Sequence, residues 1–424
     1  MMKQKELVPK RRFKGFTDEW KICKYNDLLD KSEGIRRGPF GSALKKECFV
    51  PNSDYVVYEQ QNAIYDRYNT RYNITKQKYE ELYRFILNED DFIMSGAGTI
   101  GRISRVPSGI KSGVINQALI KMRVNKYLVD LDYFLQWMRS EKMQNRLTQA
   151  NPASAMVNLV PMSEVKEWEV TVPSIEEQQK IGQFFKHLDE MIALEQRKFD
   201  KIKALKSAYL AEMFPAEGEC VPKRRFEGYT VEWKDYKMKD IGKATGGTSI
   251  ESEFVKEGKY KVISIGSYSE QSVYTDQNIR VNLSDKIKKR VLNKNDLTMI
   301  LNDKTVSGNI IGRVLLIDKD DAYVYNQRTA RIEPDNRKFD IQFLYQFLNA
   351  PLIRQKIINQ AQGNTQIYVN WTRIEELQYS IPILEEQIKI GDFFRKLDAT
   401  ITNHQRKLDK LRATKQAYLH EMFV

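Results

Sequence analysis

Residues 175–214 read IEEQQKIGQFFKHLDEMIALEQRKFDKIKALKSAYLAEMF, and residues 384–423 read LEEQIKIGDFFRKLDATITNHQRKLDKLRATKQAYLHEMF. About 24 of the 40 aligned positions are identical, a match that marks internal duplication. In steps of four and three, the first copy places Ile181, Phe185, Leu188, Ile192, Glu195, Phe199, Ile202, Lys206, Tyr209 and Met213 on one line. The second places Ile390, Phe394, Leu397, Ile401, His404, Leu408, Leu411, Lys415, Tyr418 and Met422 there. A seam held this long predicts two long helices that pair as a coiled coil. Forty residues at 1.5 Å rise make a rod of roughly 60 Å. Ser174 with Glu177 has the pattern of a capping box at the first helix start. The polar seam positions suggest an antiparallel register in which Glu195 faces Lys415, Lys206 faces His404, Phe199 faces Leu411 and Ile202 faces Leu408.

A second repeat lies upstream of each helix. PKRRFKGFTDEWK (9–21) returns as PKRRFEGYTVEWK (222–234). The chain is therefore doubled, and each half runs from a basic-aromatic phrase through a long variable region into one charged helix. This gives a first domain over 1–173, a helix over 174–214, a connector over 215–221, a second domain over 222–382 and a helix over 383–424. Pro215, Gly218 and Pro222 break helix at the connector.

The variable regions, 25–172 and 235–381, lean to strand. DYVVYEQQNAIY, DDFIMS, IGRISRV and INQALIKMR lead the first; YKVISIGSYS, NDLTMI, NIIGRVLLI and QRTARIEP lead the second. Each then gives one helix-like stretch, LDYFLQWMRSEKMQNRLTQ or IQFLYQFLNAPLIRQKIINQ. The expected class is α+β, with two β-rich domains separated by two long antiparallel helices in a pseudo-twofold repeat. Little sequence is shared between the regions beyond Asp91 and Asp296, Gly101-Arg102 and Gly312-Arg313, and Asn116-Gln117 and Asn326-Gln327.

Composition narrows the function. The chain has 424 residues, a formal charge of +13 and 41% apolar residues, which suits packed cores and a polyanionic partner, nucleic acid first. No run approaches the ~18 apolar residues of a membrane span, and the N-terminus lacks the apolar core of a signal peptide. Cys23, Cys48 and Cys220 form no CxxC pair, which fits a reducing cytoplasm. His187, His404 and His420 lack partners at metal-ligand spacing, so no metal site is expected. GAGTIG (96–101) matches a dinucleotide-binding glycine pattern, but the strand-like RISRVPSG follows where a helix is required. Walker, methyltransferase and nuclease motifs are absent, and no catalytic residue is assigned.

Candidate DNA contacts follow from residue chemistry. GIRRGPFGSALKK (34–46) carries Arg36, Arg37, Ser42 and Lys45 among glycines that let a phosphate backbone approach. YDRYNTRYN (65–73) interleaves Arg67, Tyr68 and Arg71. Arg102, Asn116 and Gln117 complete the first set; Thr248, Ser249, Lys304, Arg313, Asn326, Gln327, Asn364, Gln366 and Tyr368 form the second. Arg, Asn and Gln can address guanine and adenine edges bidentately.

With its two RRF…EWK openings, its VPSIEEQQKIGQFFKHLD and IPILEEQIKIGDFFRKLD junctions and its AYLAEMF/AYLHEMF endings, the chain resembles the specificity subunit of type I restriction-modification systems. The resemblance covers nearly the whole chain. It implies two target recognition domains, each reading one half of an asymmetric split DNA site. The helices would set the gap, and two readers about one helical turn apart, roughly 34–36 Å, could meet one face of a duplex. It further implies no catalytic centre and no cofactor in this chain. Two methyltransferase subunits would bring S-adenosylmethionine, and restriction subunits would bring ATP and Mg. Phe184, Phe393, Met191 and Leu205 are candidate contacts to those partners, Phe184 and Phe393 alternatively capping the domains' own cores. A stand-alone nuclease or methyltransferase, or a coiled-coil scaffold for proteins alone, are the competing readings.

Overall fold

A computed structural model describes residues 8–149, 162–216, 218–304, 307–364 and 366–424. The first seven residues of the basic N-terminal run and Thr365 of the QGNTQIYVNW stretch thus lie outside the described residues. The chain divides into two compact units, one of residues 1–196 with 406–424 and the other of residues 197–405. Both long helices, Ile175–Glu212 and Leu384–Glu421, contribute to each unit.

The first unit holds two four-stranded sheets. In one, the order is Ile35–Arg37, Leu119–Met122, Phe92–Ser95, Ile103–Arg105, all antiparallel. In the other, Phe49–Val50, Tyr72–Ile74 and Tyr55–Tyr58 are antiparallel and Gly113–Ile115 joins Tyr55–Tyr58 in parallel. The second unit repeats this plan. Gly242–Gly246, Thr329–Pro334, Leu297–Ile300 and Val314–Leu316 form one sheet. Phe254–Val255, Arg280–Val281, Tyr260–Ile263 and Tyr323–Tyr325 form the other, the last pair again parallel. Phe92–Ser95 and Leu297–Ile300 sit between two neighbours and are buried along their length, so FIMS and LTMI place apolar side chains on both faces, with Ser95 and Thr298 as their buried polar members. The GAGTIG glycines form the turn of an antiparallel hairpin between Phe92–Ser95 and Ile103–Arg105.

The residues shared by the variable regions are turn builders. Asp91 accepts from the Asn88 amide and holds Arg123 through two bonds of 2.6 and 2.9 Å; Asp296 accepts from the Asn293 amide and pairs with Arg331 at 2.8 Å. Gly101 and Gly312 have φ of +82° and +74°, a left-handed conformation that favours glycine. Their amides close the hairpins on Ser95 and Ile300 carbonyls, both at 2.9 Å.

The basic-aromatic phrase clamps the start of each long helix. Arg12 grips Glu177 bidentately at 2.8 and 2.6 Å, and Arg225 grips Glu386 at 2.7 Å through both nitrogens. Next in sequence, Gln178 accepts from the Asp130 amide and donates to the Leu128 and Pro173 carbonyls; Gln387 does the same with Asp340, Lys338 and Pro382. Glu-Gln therefore fastens the helix to the phrase and to the helix following the sheet. Ser174 does cap the Glu177 amide at 3.3 Å, but the Glu177 carboxylate is taken by Arg12 and Trp20, so the reciprocal half of the expected capping box is absent. Close packing at this joint explains a glycine inside each helix. A Cβ on Gly182 would lie 2.5 Å from Asp130 Oδ1 and 2.8 Å from the Tyr133 amide, and Gly391 repeats the contact with Asp340 and Phe343. Gly182→Ala gains ~1 kcal/mol of helix propensity, yet the clash should leave the variant ~1–3 kcal/mol less stable in a denaturant melt.

Two further expectations are revised. QQNAIY, read as strand, is a helix over Gln60–Tyr65. It begins where the Asn62 amide donates to the Glu59 carbonyl at 2.9 Å and the Asn62 side chain accepts from the Glu59 amide at 2.7 Å, a local turn that strand propensity ignores. Each helix-like stretch is two helices, Leu131–Arg139 and Glu141–Gln149, then Ile341–Asn349 and Pro351–Ile358. Pro351 forces Ala350 into an extended conformation, and Ser140 is extended at the matching break.

Within each unit the two long helices run antiparallel, but the predicted register is wrong by about one heptad. Lys415 bonds Asp189, not Glu195, at 2.6 Å, and Lys206 bonds Asp398, not His404, at 2.6 Å. Glu195, only 2% exposed, pairs with Lys407 at 3.0 Å. The register is set by aromatic contacts at the helix ends. Tyr418 meets Phe184 edge-on with centroids 4.9 Å apart, Tyr209 meets Phe393 at 5.0 Å, and Phe423 and Phe214 stack on Phe185 and Phe394, both at 5.7 Å. Acids beside the seam then receive the lysines, a possibility that counting along the seam omits. Burial lowers the Lys415 pKa, and Asp189 opposes the shift. Leu188 and Leu408 are buried, while Ile192, Phe199, Ile202, Leu397, Ile401 and Leu411 are half-buried. Phe184 and Phe393 pack on Phe13 and Phe226 within their own units and so cap cores, although both stay half-buried; Met191 and Leu205 are exposed.

Candidate nucleic-acid interface

The strand Ile35–Arg37 feeds a loop that the structure holds tightly. The Gly38 amide donates to the Leu119 carbonyl at 2.8 Å, and a Cβ on Gly38 would collide with the Asn116 carbonyl. A Cβ on Gly41 would collide with Gln117 Oε1. Pro39 is buried between them, and Ala43 and Leu44 pack beside Val57, Ile74 and Val114. Arg37, Ser42, Lys45 and Gln117 are exposed around this loop. A cavity of about 90 Å³ beneath it is lined by Pro39, Gly41, Glu59, Tyr72, Asn116 and Gln117, among others. Arg71 clamps Glu59 at 2.8 and 2.9 Å, and the bond raises its pKa. Arg36 points to the other side of the strand, where its Nε is buried without a partner.

Of the remaining first-half candidates, Tyr68, Arg67 and Arg102 are not part of this cluster. Tyr68 is packed edge-on against Tyr58, with its hydroxyl 2.8 Å from Ser104, and burial raises its pKa. Arg67 is exposed, and its carbonyl takes a bond from Asn62. Arg102 opens on a separate cleft of about 310 Å³, shared with Arg139 and Lys415. Asn116 Oδ1 accepts from the Ala118 amide and so shapes the turn that presents Gln117.

The second unit places its candidates in two groups. Gly247, the counterpart of Gly38, lies against the Asn326 carbonyl. Buried Asn326 accepts from the amides of Ile250 and Gln327, and Gln327 donates to Glu251 at 2.9 Å. Thr248 and Ser249 are exposed; Arg290 donates to Thr248 at 2.8 Å and lies 5.0 Å over the Tyr325 ring. The other group sits on a ribbon of Asn302–Asp303 and Ile367–Tyr368, where Lys304, Asn364, Gln366 and Tyr368 are all exposed. Arg313 joins neither group. It lines a cleft of about 690 Å³ with Glu270, Tyr345 and Lys206, and burial lowers its pKa. In the same area burial pushes Arg354 down to about 10. Sequence reasoning missed Phe40, Glu59, Glu251, Arg290 and Tyr325. Pro-Phe-Gly at a turn was the available signal for Phe40; nothing local marked the other four.

Comparison with known proteins decides what this pair of surfaces belongs to. The family described as the type I restriction modification DNA specificity domain matches twice, over residues 17–204 and 230–413. The chain belongs to this family. A curated relative, the type I restriction enzyme MjaVIII specificity subunit of Methanocaldococcus jannaschii, is 21% identical over 343 residues, covering 79% of this chain and 78% of the relative. Among solved structures, the type I restriction-modification S subunit from M. genitalium aligns with a TM-score of 0.64 at 16% identity, covering 98% of this chain and 99% of that one. A chain from work on complex assembly and conformational transition of the type I R-M system aligns with a TM-score of 0.56 at 14% identity, covering 95% and 97%.

The two family matches fall one on each variable region, so this type I specificity chain carries the domain in duplicate. Among the described residues, no helix is long and apolar enough to cross a membrane, and no group of three or more His, Cys, Asp or Glu is placed to hold a metal ion.

Proposed function

We propose that each unit reads one half of an asymmetric, bipartite DNA site and that the chain performs no chemistry itself. Two methyltransferase subunits, carrying S-adenosylmethionine, dock on the chain in the cytoplasm, and restriction subunits using ATP and Mg join through them. One observation carries this reading. The scaffold is duplicated down to single bonds, Arg12–Glu177 matching Arg225–Glu386, whereas the loops it presents differ at nearly every residue. A shared frame with unlike loops suits two unlike half-sites. The candidate contacts are Arg37, Ser42, Lys45 and Gln117 in one unit, and Ser249, Gln327, Lys304, Asn364, Gln366 and Tyr368 in the other, all but the half-buried Gln327 exposed.

The test is to map methylated adenines in DNA from cells expressing the chain with its partners, before and after residues 235–381 are exchanged for those of another family member. One half-site should change and the other persist; a change in both would refute the assignment. Binding should also weaken steeply with salt, because each Lys or Arg on a phosphate releases counterions. A flat dependence between about 50 and 200 mM salt would count against backbone contact.

A further inference from the structure

We infer that Phe40 is a wedge that enters the base stack of the half-site read by the first unit. The inference rests on the DNA-reading role proposed above. Phe40 is 89% exposed, an unusual state for a large apolar side chain. Its backbone is not loose. Pro39 is buried before it, Gly38 and Gly41 abut Asn116 and Gln117, and the Phe40 carbonyl accepts from the Ala43 amide at 2.8 Å. The backbone that carries the ring is therefore already ordered, so only side-chain rotamer freedom remains to be lost on binding. Exposed Arg37, Lys45 and Lys46 flank it within the same stretch of chain and supply charge suited to phosphates. An apolar wedge between cationic groups is the chemistry that unstacks a base step while the backbone is held. A neutral protein surface would bury the ring equally well but would leave those cations without partners, whereas the DNA already proposed as the partner offers both a base stack and phosphates. The corresponding position two residues after Gly247 is Ser249, which has no ring to insert. A wedge at this loop position is thus confined to one half-site.

The experiment uses the full chain assembled with its methyltransferase subunits and the mapped DNA site. The adenine analogue 2-aminopurine is placed at successive positions of each half-site. With the wild type, fluorescence should rise at the methylated adenine of each half-site, which the methyltransferase subunits flip, and at one further step in the first unit's half alone. The rise at this further step is the wedge's signature. Phe40→Ala should abolish that rise and weaken binding about 10–100-fold, Phe40→Trp should retain both, and the salt slope should stay unchanged. Because the side chain is exposed, Phe40→Ala should melt as the wild type does. No unstacked step beyond the flipped adenines in the wild type, or equal affinity for Phe40→Ala, overturns the wedge while leaving the bipartite reading intact. Absence of any specific DNA binding by the wild type defeats the underlying reading instead.

Discussion

Phe423→Ala should destabilise the first unit by about 3–5 kcal/mol, although residue 423 is some 400 positions from the unit's opening phrase. Phe423 is 1% exposed, stacked on Phe185 and 5.6 Å from the Tyr133 ring, in the same core as Phe92, Phe134 and Trp137. Truncation removes a full aromatic side chain from a site with little room to collapse. Phe214 holds the matching place in the second unit, against Phe343, Phe347 and Phe394. Hydrogen exchange followed by mass spectrometry separates the two effects. Phe423→Ala should lower protection across 92–138 and leave 297–348 at wild-type values, and Phe214→Ala should do the reverse. A Phe423→Ala protein with unchanged exchange in 92–138 would show that the C-terminal residues are not part of that core.

The second large effect is expected at the arginine clamps. Arg12→Met leaves Glu177, buried with its side chain 2% exposed, without its cationic partner, at a cost of about 3–5 kcal/mol. The double variant Arg12→Met/Glu177→Met should recover most of that loss, because the desolvation of both charged groups disappears together. The two clamps differ in one respect. Trp20 Nε1 donates to Glu177 at 3.1 Å, whereas the buried Trp233 Nε1 bonds to nothing. Arg225→Met strips Glu386 of more of its support and should be the more destabilising of the pair. Urea titration of both single variants and both doubles measures this; equal losses, or doubles no better than the singles, would contradict it.

Much of the fold was legible because duplication compares the chain with itself. Residues identical in both halves, such as Arg12 and Arg225, Glu177 and Glu386, Gly182 and Gly391, turn out to be the joints. The helix register was not legible. It depends on Tyr418 against Phe184 and on Asp189 beside the seam, neither of which heptad counting weighs. The surface was read less well, for a related reason. Asn116, Asn326 and Arg313 stood out because they recur, yet recurrence marked turn geometry and burial. Phe40, which does not recur, is the more exposed and the better placed. In a doubled protein with two targets, the residues that differ are the ones to examine for recognition.

Sharing both long helices between the units has a consequence for biogenesis. The second unit is a continuous stretch, 197–405, but the first needs residues 406–424 to finish its core. At ~5–20 residues per second, translation separates its two segments by roughly 10–40 s. During that interval Tyr133, Phe134 and Phe185 leave the ribosome without Leu419, Met422 and Phe423 to cover them. The part made first is thus completed last, and for that time the nascent chain carries apolar surface of the kind that makes partly folded chains prone to aggregate.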